Sequence, residues 1–178
     1  MRSSKPKSTD SIRDIYSKCM ITKRISLPIT NIGKNLKATF EKYLQYHMEG
    51  KCIKEGFVKH GSCRIITFSS GQIDQGSYVV FQVVFECLVC FPVEGMLIEC
   101  VAKHITKAGI RAESGHETPS PFILFVARDH NYAEQHFSKI QVEETFTARV
   151  IGQRFELNDS YISIIAEIIK PKNDLKYK

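Results

Sequence analysis

The segment Tyr78-Val-Val-Phe-Gln-Val-Val-Phe-Glu-Cys-Leu-Val-Cys-Phe91 decides the fold. Its odd positions, Val79, Phe81, Val83, Phe85, Cys87, Val89 and Phe91, are all apolar, whereas the even ones mix Gln82 and Glu86 with apolar residues. Successive side chains of a strand point to opposite faces, so the pattern describes one long strand that buries its odd face. Upstream, Ser69-Ser70-Gly71 and Asp74-Gln75-Gly76 are turn chemistry, and Cys63–Phe68 is a β-branched and aromatic run suited to pair with it. Before that lies one helix. Asn31 or Asn35 can cap it, Leu36, Phe40, Tyr43, Leu44 and Met48 follow helical spacing to about His47, and Gly50 ends it. Residues 20–29 read as extended through Ile25, Leu27 and Ile29, and residues 1–19 as a Ser- and Lys-rich extension with a short helix near 10–19.

Downstream of Pro92 the strands shorten and recur. Met96–Lys103 alternates, Gly109–Glu113 and Phe122–Ala127 follow, Phe146, Ala148 and Val150 alternate with polar neighbours, and Tyr161–Ile169 closes the series after Asn158-Asp159. A longer irregular link occupies 128–142. Five short strands in this span are the count of a small OB-type barrel, with a five-stranded sandwich as the alternative. The reading is α+β first and all-β second: an extension at 1–19, a helix-on-sheet domain at 20–92, a barrel domain at 93–170 and a basic tail at 171–178.

The chain has 178 residues and a formal charge of +6, which at first suggests nucleic acid. Its distribution says otherwise. Residues 1–24 hold seven basic and two acidic residues, and residues 170–178 four and one. The body between them has 14 basic against 16 acidic, and its second half, 93–169, is net −4. Basic ends on a near-neutral body suit solubility, or contact with phosphate or an acidic protein surface. No apolar run approaches the ~20 residues of a membrane helix, and the N-terminus is too polar for a secretory signal.

Six cysteines include one C-x-x-C, Cys87-Leu-Val-Cys90, but strand alternation puts those two side chains on opposite faces, where they cannot share a metal. Reduced, buried thiols of an intracellular protein are the expected state. No phosphate loop, dinucleotide fingerprint or nucleophile elbow is present. Glu143-Glu144 reads as a solvated strand approach, and neither Glu117 with Asp129 nor His116 with His130 makes a metal cluster. Hence no catalytic residue, metal or cofactor is expected.

The order of several motifs resembles a known family. Gly33-Lys-Asn-Leu36 before a helix, Glu49-Gly-Lys-Cys52, Glu55-Gly-Phe-Val58, the Gly71/Gly76 loop and Val89-Cys-Phe-Pro92 succeed one another. Gly95-Met-Leu-Ile-Glu-Cys-Val101, Ile105-Thr-Lys-Ala-Gly-Ile110, Val150-Ile-Gly-Gln-Arg154 and Asn158-Asp159 complete the series. Over roughly residues 24–169 the chain resembles the stalk subunit of multisubunit DNA-directed RNA polymerases, the family of the archaeal stalk protein and the seventh subunit of RNA polymerase II. The resemblance implies a tip domain that docks on the polymerase core near the clamp, an S1-type OB domain that touches nascent RNA, and a helical partner subunit that clasps both. It implies core docking by Gly33, Lys34, Gly56, Phe57, Ser69, Ser70 and Gly71, and partner contacts near 91–94.

RNA binding would fall to Lys103, His104, Lys107, Arg111, Phe122, Phe125, Arg128 and His130. Only one of Phe122 and Phe125 can be a stacking platform, because alternation puts them on opposite faces. Arg111 stands where an aromatic is often found, and the domain is acidic, so weak and salt-sensitive RNA binding is expected. A free-standing OB-fold RNA-binding protein of translation or RNA decay is the alternative. The basic extension and shortened loops point to a polymerase of a large DNA virus. Cellular or viral origin, and nucleus against cytoplasm and virion, stay open.

Overall fold

The structure, a computed structural model, describes residues 15–74, 76–115, 117–129 and 137–169. Its spine is strand β6 (Tyr78–Cys90). Beside it, antiparallel and in unbroken register from Tyr16↔Cys90 to Pro28↔Tyr78, runs β1 (Tyr16–Pro28). The other edge of β6 is shared in turn by β3 (Gly56–Val58), β4 (Arg64–Phe68) and β5 (Gln72–Ile73), with β2 (Cys52–Ile53) outside β3. The helix α1 (Leu36–His47) covers one face of this six-stranded sheet. Phe40 and Leu44 of α1 and Met48 just beyond it pack on Val79, Phe81, Val83, Phe85, Cys87 and Val89, the odd face of β6. Of the two candidate caps it is Asn35 whose side chain accepts a hydrogen bond from the Ala38 N–H at 3.2 Å.

Two expectations are corrected. A helix near 10–19 does not extend over 16–19, which belong to β1, and residues 10–14 lie outside the described ones. The physical reason is the length of β6: a 13-residue strand buried on one face needs its backbone paired along that length, and β1 lengthens to match. Phe91, expected on the buried face, stands just past the end of β6 and is exposed.

After residues 91–96 the chain forms a closed barrel of β7 (Leu97–Ile105), β8 (Gly109–Ser114), β9 (Phe122–Ala127), β10 (Thr145–Arg154) and β11 (Ile162–Ile168). Around the barrel the order is β7-β8-β9-β11-β10, and β11 lies parallel to β9. Closure removes both edges of the sheet. Ala102, Ala112, Ala148 and Ala166 are fully buried beside Phe122, Leu124, Ile162 and Ile164, small residues making room for large ones in a narrow interior. The architecture is therefore mostly β, one helix on an antiparallel sheet followed by a five-stranded barrel, in line with the α+β and then all-β reading.

Sheet and barrel share a core. Tyr16, Cys52, Phe57 and Cys90 of the sheet pack in one cluster with Ile98, Phe122 and Phe146 of the barrel. Within the sheet, Gly56 permits the close approach of β3 to the end of β6: its φ is +128°, and a Cβ there would sit 2.4 Å from the Cys90 carbonyl oxygen, so only glycine fits.

Candidate functional site

Three surfaces are built by this framework. The first is the end of the sheet farthest from the barrel. There Tyr78 closes the β1–β6 ladder, Ile29 donates its N–H to the Ser77 carbonyl at 2.8 Å, and Asp74 donates its N–H to the Tyr78 carbonyl at 3.0 Å. The loop between β4 and β5 lies against β6 through a reciprocal pair, Ser69 N–H to Gln82 O at 2.9 Å and Gln82 N–H to Ser69 Oγ at 3.0 Å. Gly71 is needed for that approach, since a Cβ there would meet Val79 at 2.6 Å and the Phe81 ring at 2.9 Å. What this end presents is apolar: Ile73 is 82% exposed, and Ile29, Phe68 and Tyr78 are exposed beside it. Single exposed apolar residues are ordinary; four gathered toward one end of a sheet make a candidate contact surface.

The second surface is the joint between sheet and barrel. The Lys59 ammonium and the Tyr16 hydroxyl both donate to the carboxylate of Glu117, and the ammonium lies 4.5 Å from the centre of the Tyr16 ring. Cys52 and the turn at 158–159 exchange backbone bonds, Cys52 N–H to Asp159 O at 2.7 Å and Asn158 N–H to Cys52 O at 2.8 Å. Between these two clasps opens a groove of about 590 Å³ lined by Gly50, Lys103, Glu113, Glu117, Glu143 and Tyr161 among others. On another side of the joint Phe91, Val93 and Leu157 are exposed, and Phe91 meets Phe155 edge to face at 6.1 Å.

The third surface is the outer face of β8, β9 and β11. Arg111 pairs across the strands with Phe125, and Phe125 with Ile165. Phe125 is 37% exposed, its ring lying over Gly109, while Phe122 is fully buried in the barrel. Phe122 is thus a core residue and not a stacking platform; the interior needs its volume. The cations near this face are largely engaged. Lys103 holds both oxygens of Glu143 at 2.9–3.0 Å, Arg111 reaches Glu113 at 3.5 Å, and Arg128 stacks 5.3 Å from the Phe137 ring centre. His104 and Lys107 are exposed, and His130 lies outside the described residues.

Of the residues expected to dock, Gly33 and Lys34 are exposed ahead of α1, and Ser69, Ser70 and Gly71 are exposed in the loop at the far end of β6. Gly56 and Phe57 do not join them. They sit at the barrel end of β6, about 40 Å along the strand from Tyr78. Phe57 is 2% exposed and fills the shared core. The Tyr16–Lys59–Glu117 clasp, in which Glu117 lies 101 and 58 positions from its two partners, leaves no local signal in the sequence, and the apolar end leaves little. A lone Ile73 between two turn segments was the available signal for the latter.

The cysteines are all unbridged. Burial pushes the Cys100 thiol up to about 12, with Glu99 adding to it, and the Cys52 thiol up to about 11, with Asp159 adding to it. Among the described residues no group of three or more His, Cys, Asp or Glu could hold a metal ion, and no helix is long and apolar enough to cross a membrane.

No protein-family profile matches the chain. Individual relatives do. It is 31% identical over 135 residues to DNA-directed RNA polymerase II subunit 7 of Arabidopsis thaliana, covering 70% of this chain and 76% of that protein. The chain belongs to the RNA polymerase II subunit 7 family. Subunit RPB7 of Glycine max is 28% identical over 140 residues, covering 72% and 79%. A candidate DNA-directed RNA polymerase subunit of Acanthamoeba polyphaga mimivirus, L376, is 25% identical over 171 residues, covering 88% and 83%. The chemistry that the three surfaces offer is apolar contact, backbone hydrogen bonding and a few cations.

Proposed function

We propose that this chain is a non-catalytic stalk subunit of a DNA-directed RNA polymerase, supporting transcription initiation. The observation that carries the reading is the placement of an exposed apolar end, Ile29, Phe68, Ile73 and Tyr78, at the opposite extreme of β6 from a closed barrel, in a chain of the subunit 7 family. The segment 20–92 is the tip domain, whose apolar end docks on the core together with Gly33, Lys34 and the loop Ser69–Gly71. The segment 93–170 is an S1-type OB domain, a reading supported by the barrel order β7-β8-β9-β11-β10. A helical partner subunit fits over the joint, where Phe91, Val93 and Leu157 are left exposed. Nascent RNA would stack on Phe125 beside Arg111 and Lys107, weakly and with strong dependence on salt.

The basic segment 1–24 grips an acidic polymerase or partner surface, and its deletion weakens assembly more than RNA binding. The chain works wherever its polymerase does, in a nucleus or in the cytoplasm of an infected cell. The test is purification of the tagged chain from its native cell. Recovery of the large polymerase subunits in stoichiometric amount is expected. Recovery of RNA or ribosomes without them would overturn the proposal in favour of a free-standing RNA-binding protein.

A further inference from the structure

Three of the six cysteines converge on one face of the sheet, and the subunit reading gives them no task. Cys87, toward the barrel end of the spine's buried face, is 1% exposed. Cys19 of β1 is its direct cross-strand partner. On the opposite flank the β4–β6 ladder ends at Arg64↔Glu86, so Cys63 and Cys87 are the next residues on either strand. That register makes the two side chains cross-strand neighbours on the same face of the sheet. Both flanking cysteines are half-buried and pack against the cluster that contains Cys87.

The two flanks differ mechanically. Cys19 lies inside a ladder paired from Tyr16 to Pro28, and its backbone cannot turn without breaking cross-strand bonds. Cys63 stands just outside the ladder, its N–H held at 3.0 Å by the carboxylate of Glu49, which also accepts from Gly61 N–H at 2.8 Å. A disulfide needs Cα atoms roughly 4.4–6.8 Å apart and a torsion near 90°, so the side whose backbone can adjust is the side that closes.

We propose that Cys63 and Cys87 are an oxidation site that closes to an intramolecular disulfide under hydrogen peroxide, and that Cys19 does not compete. The half-buried Cys63 flank admits the small oxidant. The pair gives up one proton; the thiolate sulfur attacks the peroxide oxygen, forming a sulfenic acid and releasing hydroxide, which takes that proton and leaves as water. The second sulfur then attacks the sulfenic sulfur, and the displaced hydroxide leaves as water with the second thiol's proton. Overall two thiols lose two electrons and two protons, the peroxide is reduced to two waters, and a dithiol reductant reverses the reaction.

The bond would close the segment from 63 to 87, which carries β4, the loop Ser69–Gly71 and β5. Oxidation would therefore fix the strands that present the apolar end against the spine. This inference stands whether or not that end docks on a polymerase.

The test exposes the folded, reduced chain to a few equivalents of hydrogen peroxide, blocks free thiols and digests with trypsin. The expected product links peptide His60–Arg64 to peptide Ile65–Lys103 through Cys87, which fragmentation of the linked pair distinguishes from Cys90 and Cys100 of the same peptide. Four thiols stay free, and the melting temperature rises by about 5–10 °C until dithiothreitol is added. Cys63→Ser should abolish the link. In Cys87→Ala, Cys63 should be trapped as a sulfenic acid, a readout that holds even if this buried substitution lowers stability. Recovery of peptide Cys19–Lys23 in the link overturns the proposal. So does Cys63 recovered unlinked as sulfinic acid in the unsubstituted chain, or a link that forms equally fast in 8 M urea.

Discussion

Replacing Glu117 by alanine removes the acceptor that both Lys59 and Tyr16 use to hold the barrel to the sheet. Hydrogen bonds to a charged group contribute about 1.5–3 kcal/mol when water is excluded. Here the Lys59 and Glu117 side chains are 37% and 23% exposed, so water competes and the Lys59–Glu117 coupling should be about 1–1.5 kcal/mol. The hydrogen bond from Tyr16, in a more buried position, adds about 1 kcal/mol. Glu117→Ala should therefore cost about 2–2.5 kcal/mol, and Lys59→Met about 1–1.5 kcal/mol. Their combination should cost less than the sum by the coupling energy. The chain has no Trp, so calorimetry and circular dichroism in urea are the suitable readouts. Because the clasp helps tie the sheet to the barrel, the variant should also broaden or split a transition that is single in the parent. A coupling energy below about 0.3 kcal/mol would show that Lys59 and Glu117 act independently and would refute the reasoning.

Ile73→Asp, at a position 82% exposed, should leave stability within about 0.5 kcal/mol of the parent while abolishing recovery of the polymerase subunits in the same purification. Gly56→Ala forces a Cβ to 2.4 Å from the Cys90 carbonyl at φ +128°, and a loss of at least about 2 kcal/mol in urea unfolding is expected. Cys100 and Cys52 keep their protons to about 12 and 11 in the folded chain but lose them near 9 when unfolded. Folding is thus fully supported by these thiols below pH 9. Above it, stability should fall by up to about 1.4 kcal/mol per pH unit for each thiol; Cys100→Ala should flatten that decline. Neutralising Glu143 as Glu143→Gln frees Lys103, so single-stranded RNA affinity should rise and the slope of log K against log salt should steepen by about 0.7, as read by filter binding.

The sheet's architecture was legible because one strand stated it: the odd positions of 79–89 can be buried only together, and α1 offers a matching stripe in Phe40, Leu44 and Met48. The barrel was legible from recurrence, since alternation restarts after each turn signal between 96 and 169. What stayed hidden depends on long-range closure. The β-run at 16–19 lacks its own apolar alternation and is a strand because β6 needs a partner there. Phe57 carries no local mark of its burial; its motif neighbours suggested a docking loop, and only the joining of sheet to barrel turns it inward. Phe122 and Phe125 show the limit in miniature, because alternation separated them while only closure of the barrel decided which faced inward.

Charge follows the same logic. Counting cations on the barrel's strands suggests a groove for phosphate, yet the folded arrangement gives Lys103 to Glu143, Arg111 to Glu113 and Arg149 to Glu167. Each such exposed pair contributes little to stability, but a paired cation must lose its carboxylate before it can take a phosphate, and the two exchanges nearly cancel. Counterion release then rests on cations outside these pairs, Lys107 among the described residues, and stacking on Phe125 must carry a larger share of any RNA affinity. Phe125→Ala should consequently weaken RNA binding more than Lys103→Ala does, an order opposite to the one that net positive charge would suggest. Equal losses from the two substitutions would mean that Lys103 leaves Glu143 for the RNA, and that the acidic partners are displaced on binding.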